Sequence, residues 1–308
     1  MSDQEQGRPR PESEPRDEGA SAPGAAPAMR LLARGREIRW PRRPLIMGIV
    51  NLSVDSFSGD GLADVDSALE KARQCLADGA DIIDVGAESA RTNRGPISET
   101  GEAARLVAFI ERWPSVICDR PGALLSINTW RPAVARAALT VGGHLLNDIG
   151  GLPTDANARL CAETGAALLL MHSVGEPKVP HTHVGYDDVL ARIDEFFAEK
   201  IALAECAGLP REALVLDPGI DFAKQRDDNL RIYRELDRFA HFQRPILLPI
   251  SRKTVIGEVL GLPHAADRDA GTVACLVQGM LRGAAIFRVH DVRAAVQAAR
   301  IVAAVAEA

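Results

Sequence analysis

Short apolar runs recur along the chain between residues 45 and 289, and a longer segment of mixed polarity separates each run from the next. The runs are rich in Val, Ile and Leu, and they are apolar throughout instead of alternating with polar residues. This pattern predicts strands that are covered on both faces, as parallel strands in α/β proteins are. The predicted strands are Leu45–Val50, Ile82–Gly86, Leu124–Asn128, Leu145–Asp148, Ala167–Met171, Leu214–Asp217, Pro245–Ile250 and Ala284–Val289.

The segments between these runs carry the signals at which helices begin and end. Ser98 is placed as a helix N-cap, and Pro132 lies in a predicted first turn. The predicted stops are Gly79, Gly142, Gly165, Gly208 and Gly283. Eight strands that alternate with helices predict an α/β fold, the closed (β/α)8 TIM barrel. A doubly wound open sheet is the alternative, although the glycine-rich fingerprint that it often carries after the first strand is absent.

The first 28 residues differ in composition from the rest of the chain. They are mainly Pro, Gly, Ser, Glu and Arg, so they have little apolar surface with which to offset the entropy lost on ordering. We predict a disordered tail over residues 1–28 and a barrel domain over residues 29–308. Met29–Leu32 and Glu37–Trp40, with Gly35 between them, predict a small hairpin before the barrel.

Composition narrows the class of protein. Hydrophobic residues make up 46% of the chain and charged residues 25%, as in a soluble protein with a large core. The net charge of −6 argues against a general nucleic-acid binder. No apolar run is long enough to span a membrane. The five cysteines are scattered and include no CxxC pair, which favours reduced thiols in a cytoplasmic enzyme.

Polar residues stand where the predicted strands end, and Asp217, directly before Pro218-Gly219, is the clearest case. A carboxylate at the edge of an apolar interior is costly to desolvate unless donors meet it. In a barrel of this type the chemistry lies at the carboxyl ends of the strands. The candidates there are Asn51, Asp84, Asn128, Asn147, Met171-His172, Asp217, Ser251-Arg252-Lys253 and Arg288-Val289-His290. The acceptors and amides suit a heterocycle with a guanidine-like edge, and the basic groups after the last two strands suit a phosphate.

From about Pro44 to its C-terminus the sequence resembles the dihydropteroate synthase family. The motifs that carry the resemblance are Met47-Gly48-Ile49-Val50-Asn51, Asp55-Ser56-Phe57-Ser58, Asp81-Ile82-Ile83-Asp84-Val85-Gly86-Ala87-Glu88-Ser89, Asn147-Asp148, Met171-His172, Asp217-Pro218-Gly219, Ser251-Arg252-Lys253 and Arg288-Val289-His290-Asp291. The resemblance implies an enzyme in which the amine of 4-aminobenzoate displaces diphosphate from hydroxymethyl-dihydropterin diphosphate. It also implies small-molecule substrates, a Mg²⁺ ion and a homodimer formed through outer helices.

The resemblance also implies a role for each candidate residue. Asn51 is expected to carry Mg²⁺ and diphosphate. The residues expected at the pterin are Asp84, Asn128, Asn147, Met171, Asp217 and Lys253. Arg288 and His290 are expected to hold diphosphate, with Ser251 beside them, and Phe222, Lys253 and Arg91 are expected to border the aminobenzoate. The catalytic candidates are Asn128, Lys253, Arg288 and His290.

The sequence departs from the family pattern at four places. Asn128 stands where the family has aspartate, and the loop Ala90 to Asn93 differs from the family's Thr-Arg-Pro-Gly. Ser53-Val54 replaces Thr-Pro in the first loop, and Ile220-Asp221 replaces Phe-Gly. Two alternatives therefore stay open: a relative that uses the pterin pocket for methyl transfer, and a non-catalytic pterin-binding paralogue. The basic groups Lys253, Arg288 and His290 favour the synthase over the methyltransferase, which needs no diphosphate site.

Overall fold

The structure is a computed structural model that describes residues 29–40, 43–52, 62–88, 95, 97–118, 120–179 and 184–308. The predicted tail, residues 1–28, lies outside the described residues. The described strands are β1 (Arg30–Ala33), β2 (Arg36–Arg39), β3 (Leu45–Asn51), β4 (Ile82–Gly86), β5 (Leu124–Asn128), β6 (Leu145–Asp148), β7 (Ala167–Met171), β8 (Leu214–Asp217), β9 (Leu247–Pro249) and β10 (Ile286–Val289). The described helices are α1 (Leu62–Ala77), α2 (Glu99–Arg112), α3 (Pro132–Val141), α4 (Ala156–Thr164), α5 (Val189–Cys206), α6 (Arg226–Arg234), α7 (Thr254–Leu260), α8 (Asp269–Leu281) and α9 (Val292–Glu307).

Strands β3 to β10 form one parallel sheet in the order β8-β7-β6-β5-β4-β3-β10-β9. A parallel bridge between Leu216 and Ile246 joins the two edges of this sheet, and the Leu216 N–H donates to the Pro245 carbonyl at 3.0 Å. The predicted barrel is therefore confirmed, and the open sheet is wrong. The last two strands are shorter than predicted, since residues 245 and 246 make the closing contacts and the Ala284 N–H donates to Gly279 at the end of α8.

Side chains from the sheet divide between two hydrophobic clusters. One lies between strands and helices and includes Ile83, Leu125, Leu146, Leu168 and Phe287. The other fills the barrel interior and includes Met47, Ile82, Leu124, Leu169 and Val215. This division explains why the strands read as apolar throughout, because both of their faces are buried.

The N-terminal hairpin is confirmed, since β1 pairs antiparallel with β2. Leu31, Ala33 and Trp40 are buried in the interior cluster together with residues from the beginnings of the barrel strands. The Arg34 N–H donates to the Gly165 carbonyl just before β7. The hairpin thus covers the amino end of the barrel and leaves its carboxyl end for the site.

The helix signals read from the sequence hold where they can be checked. Ser98 Oγ accepts from the Gly101 N–H at 3.1 Å at the beginning of α2, and Pro132 is the first residue of α3. Gly165 ends α4 with a left-handed backbone. The five cysteines form no disulfide. Among the described helices, none combines the length and the apolar character needed to cross a membrane.

Candidate active site

A fully buried carboxylate, that of Asp84 on β4, binds four side chains at the carboxyl end of the barrel. Ser126 Oγ donates to Oδ1 at 2.6 Å, and Asn147 Nδ2 lies 3.2 Å from both oxygens. Asn128 Nδ2 and Arg288 Nε donate to Oδ2 at 3.2 and 2.7 Å. These five residues, called the Asp84 cluster below, come from β4, β5, β6 and β10.

The geometry of the strands explains why these residues meet. Ser126 and Asn128 are two positions apart on β5, so both face the interior, and Asp84 pairs with Ser126 in register. The Arg288 charge pairs with the buried carboxylate, and the three other side-chain donors satisfy its oxygens, as a buried ion pair requires. The direct contact of Asp84 with a ligand, implied by the resemblance, stays a prediction, because in the structure its oxygens are engaged by these donors.

Asn128 is half-buried, and its Nδ2 donates a hydrogen bond to Asp84 Oδ2. This contact fixes the side-chain amide and leaves Oδ1 able to accept a further hydrogen bond. An aspartate here has no donor to offer and places a second carboxylate beside Asp84. The departure from the family pattern thus removes a like-charge contact and retains an acceptor.

Asp217 ends β8, is buried, and accepts the Gly219 N–H at 2.7 Å. Gly219 has a φ of +71°, and a Cβ there would lie 2.0 Å from the His172 carbonyl oxygen, so only glycine fits. The His172 N–H in turn donates to the Asp217 carbonyl at 2.8 Å. These contacts hold the carboxylate at a fixed place at the end of the strand.

Burial raises the pKa of Asp217 to about 6, although the Gly219 N–H and the positive charges of Lys253, Lys224 and Arg288 oppose this shift. The group therefore changes its charge close to neutral pH. When ionised, it offers acceptors to a ligand that carries adjacent N–H groups.

Lys224 lies in the loop between β8 and α6 and is buried. No role was predicted for Lys224 from the sequence. Its Nζ lies 2.9 Å from His172 Nδ1 and donates to the Phe222 carbonyl at 3.0 Å. Burial lowers the pKa of Lys224 to about 7, and burial together with the lysine charge lowers the pKa of His172 to about 2. His172 is therefore neutral and accepts at Nδ1.

Lys253 and Phe222 lie together, as the resemblance implies. Lys253 Nζ is 4.9 Å from the centroid of the Phe222 ring and donates to the Ile220 carbonyl at 2.8 Å. Burial lowers the pKa of Lys253, and the charges of Asp221 and Asp217 oppose that shift. An ammonium over an aromatic face forms a cation–π contact, so these two side chains make one wall of the site.

Ser251 and His290 connect the ends of β9 and β10. Ser251 Oγ accepts the His290 backbone N–H at 3.2 Å and lies 2.8 Å from His290 Nδ1. The hydroxyl can donate to Nδ1 or accept from it, depending on the tautomer of His290. In either case Ser251 orients the imidazole at the end of β10.

Two of the three remaining predicted residues, Met171 and Asn51, are among the described residues. Met171 is buried in the interior cluster, against which Phe222 packs. Asn51 is exposed at the end of β3, and Arg91 lies outside the described residues. The structure thus brings most candidates to one end of the barrel in hydrogen-bonded groups.

A buried ion-pair network near this end was not foreseen from the sequence. Arg131 pairs with Glu88 and Glu102, each at 2.8 Å, and Lys178 Nζ lies 2.9 Å from Glu88. Both glutamate side chains are buried, with exposures of 1% and 0%. The network connects the segments that follow β4, β5 and β7 with α2. No spacing in the sequence indicates it, because its members are far apart along the chain.

The chain is similar to known proteins over most of its length. Residues 47–290 match the family model described as pterin binding enzyme. The chain is 38% identical over 277 residues to the dihydropteroate synthase of Escherichia coli strain K12, covering 90% of this chain and 96% of the relative.

Solved structures agree with these matches. The Xanthomonas albilineans dihydropteroate synthase with 4-aminobenzoic acid has a TM-score of 0.81 and 35% identity, covering 91% of this chain and 99% of that one. The same enzyme in complex with 7,8-dihydropteroate has a TM-score of 0.78 and 34% identity, with the same coverage. The chain therefore belongs to the pterin-binding enzyme family, in which its relatives are dihydropteroate synthases.

Proposed function

We propose that this chain is a dihydropteroate synthase, a transferase that condenses 4-aminobenzoate with hydroxymethyl-dihydropterin diphosphate and releases diphosphate. The observation that carries the proposal is the placement of carboxylates and amides beside basic groups at one end of the barrel. The reaction needs both, because departure of diphosphate leaves a cationic carbon next to the ring. The similarity to enzymes solved with 4-aminobenzoic acid and 7,8-dihydropteroate supports it.

Acceptors and donors divide between the two parts of the pterin substrate. The ionised Asp217 accepts from the guanidine-like edge of the pterin, and Asn128 Oδ1 and Asn147 lie at the inner wall. Met171 packs against the ring, while Lys253 and Phe222 border the aminobenzoate. The acceptors stabilise positive charge as it spreads into the ring.

The diphosphate lies at the ends of β3 and β10. Arg288 uses Nε for Asp84, so its two terminal nitrogens can donate to the leaving group, and the imidazole of His290, two residues further along, is the second basic group there. Asn51 fits a Mg²⁺ ion, since this ion prefers oxygen ligands and binds through one or two protein groups together with phosphates. When bound, Mg²⁺ neutralises charge on the departing diphosphate.

The proposal is tested with the purified full chain, both substrates and Mg²⁺. Dihydropteroate is measured by chromatography and diphosphate by a coupled assay. Equal amounts of the two products support the synthase. A chain that binds the pterin but releases no diphosphate contradicts the proposal and favours a non-catalytic paralogue.

Asp217→Asn should weaken binding of hydroxymethylpterin, with or without its diphosphate, by about 1.5–3 kcal/mol. A carboxylate can accept two hydrogen bonds from a guanidine-like edge, while an amide oxygen on the same stem accepts one. Because the pKa of Asp217 is about 6, affinity of the parent should fall as the pH drops below 6. The Asn variant should lack this decline. Calorimetry between pH 5 and 8 measures both.

Asp148→Asn is the matched control. Asp148 also ends a strand, is fully buried, and has a pKa raised to about 6 by burial. Its oxygens are bound by the Gly150 N–H and by Asn157 Nδ2, each at 2.8 Å. Its substitution should leave pterin affinity unchanged. Equal affinity of the Asp217 variant and the parent at pH 8 would show that Asp217 does not bind the pterin.

Asn128→Asp should raise turnover, because a carboxylate stabilises positive charge in the ring better than a neutral amide does. The activation free energy should fall by about 1–3 kcal/mol. The same change should lower the free energy of unfolding, because it exchanges a donor to Asp84 for a like charge. Steady-state kinetics and urea unfolding measure the two effects. Lower turnover together with lost pterin binding would instead indicate that the amide donates to a different pterin ligand.

The proposal extends to assembly and location. Leu281 at the end of α8 and Ile301 and Val305 on α9 are 70%, 67% and 73% exposed. Exposed apolar side chains on two adjacent helices support a homodimer formed through this face. The unpaired cysteines support a cytoplasmic enzyme.

A further inference from the structure

Asp221, in the loop between β8 and α6, adopts a backbone conformation that is uncommon for residues other than glycine. Its φ is +67°, in the left-handed region that favours glycine. The family pattern has glycine at this place, so the chain accepts strain here. A side chain that is retained in such a conformation needs a contact that compensates it.

The Asp221 carboxylate makes that contact with another loop. It accepts the backbone N–H of Thr254, and it accepts that of Val255 at 3.2 Å. These N–H groups belong to the first turn of α7, where no intrahelical acceptor exists for them. The residue before the helix, Lys253, makes no side-chain capping bond. Asp221 therefore caps α7 from a position 33 residues earlier in the chain.

The backbone of Asp221 is itself held in place. Its N–H donates to Asn229 Oδ1 at 2.8 Å, and Asn229 is buried on α6. Asn229 Nδ2 donates to the Gln225 carbonyl at 3.0 Å. The capping carboxylate is thus fixed relative to α6, and α7 begins at a place that this loop determines.

The two neighbours of Asp221 hold the Lys253 side chain. The Ile220 carbonyl accepts from Nζ, and the Phe222 ring lies under the ammonium. One short loop therefore fixes Lys253 twice: at its backbone, through the cap on the next two residues, and at its ammonium.

We infer that Asp221 is a positioning residue that fixes Lys253 at the aminobenzoate side of the site. The inference rests on the proposed function for its kinetic consequence. Asp221 acts through Lys253 and the first turn of α7, because its carboxylate accepts the backbone N–H groups of that turn. The substrate whose use should depend on it is the aromatic amine, because Lys253 and Phe222 form the wall beside that substrate.

The charges that face Lys253 give a second, independent readout. Asp221 and Asp217 raise the pKa of Lys253, while Arg288 lowers it. Lys224 is also close enough for the two ammonium charges to repel. Removal of the Asp221 charge should therefore lower the pKa of Lys253 and increase the fraction of free amine.

Two substitutions separate the effect of the position of Lys253 from the effect of the Asp221 charge. Asp221→Gly relieves the backbone strain and loses the cap, so these effects oppose each other and the melting temperature should change little. Its kcat/KM for 4-aminobenzoate should fall by about tenfold to a hundredfold, since the wall of the site is displaced. Asp221→Asn keeps an oxygen that can accept from the helix, and it should restore most of this loss.

The reactivity of Lys253 is measured by limited acetylation with acetic anhydride at pH 8, followed by mass spectrometry of the peptides. Acetylation should be faster in both variants: through a lower pKa in Asp221→Asn, and through greater exposure in Asp221→Gly. Asp188→Asn is the matched control, because Asp188 caps α5 with two backbone bonds and is placed outside the site. It should change neither readout.

The outcomes distinguish this inference from the proposed function. A parent enzyme without synthase turnover contradicts the proposed function, and Lys253 acetylation then still decides the inference. A parent that turns over, with unchanged kcat/KM and unchanged acetylation in Asp221→Gly, overturns the inference and leaves the proposed function in place.

Discussion

Asp84→Ala should lower the free energy of unfolding by about 3–5 kcal/mol, because it leaves a buried charge pair broken and buried donors without an acceptor. Ser126 and Asn147 lose their partner in the interior, and Arg288 loses the contact that orients it. Synthase activity should be lost as well. Urea denaturation measures the stability, and the full assay at low temperature measures the activity of the folded fraction.

Asp78→Ala is the control for this change. Asp78 also pairs with an arginine, Arg293, at 2.8 Å, but that arginine is 68% exposed. Exposed pairs of this kind contribute about 0–1 kcal/mol, so the control should remain close to the parent. A loss of less than about 1 kcal/mol for Asp84→Ala would show that the Asp84 cluster adds little to stability.

Arg288→Ala should weaken binding of the pterin diphosphate by about 1.5–3 kcal/mol, the value of a hydrogen bond to a charged group. It should also destabilise the protein by about 3 kcal/mol, at the low end for a broken buried pair, since Asp84 retains three other donors. Binding of hydroxymethylpterin without diphosphate should change much less. Calorimetry with the two ligands measures the difference.

Arg293→Ala is the corresponding control, because it removes a surface arginine that lies on α9, five positions beyond Arg288. Arg288→Lys adds a further comparison: it keeps the charge but loses the fork that can bind Asp84 and an anion together. Unchanged affinity for the pterin diphosphate in Arg288→Ala would remove Arg288 from the anion site.

Asp217 was predictable because a carboxylate directly after an apolar run is unusual, and Asp84 because a carboxylate within such a run is. Parallel strands then bring the two to the same end of the barrel. Five predicted strands have the observed bounds. The contacts of Asp221 with the first turn of α7 were not predictable, since nothing local connects positions 33 residues apart. The burial of Lys224 was not predictable either, because it depends on how its loop folds back onto His172.

The buried network of Glu88, Glu102, Arg131 and Lys178 determines how this end of the barrel responds to the ionic strength of the medium. At ordinary concentrations salt screens the interaction of exposed charges that are more than about 8–10 Å apart, and it screens buried pairs much less. Arg131 and Lys178 have side-chain exposures of only 17% and 13%, so added salt should leave their pairs intact. The segments that they connect then keep their arrangement from dilute buffer to high salt. A loss of substrate affinity in a salt titration therefore reports the charge of the diphosphate and not an opening of these segments.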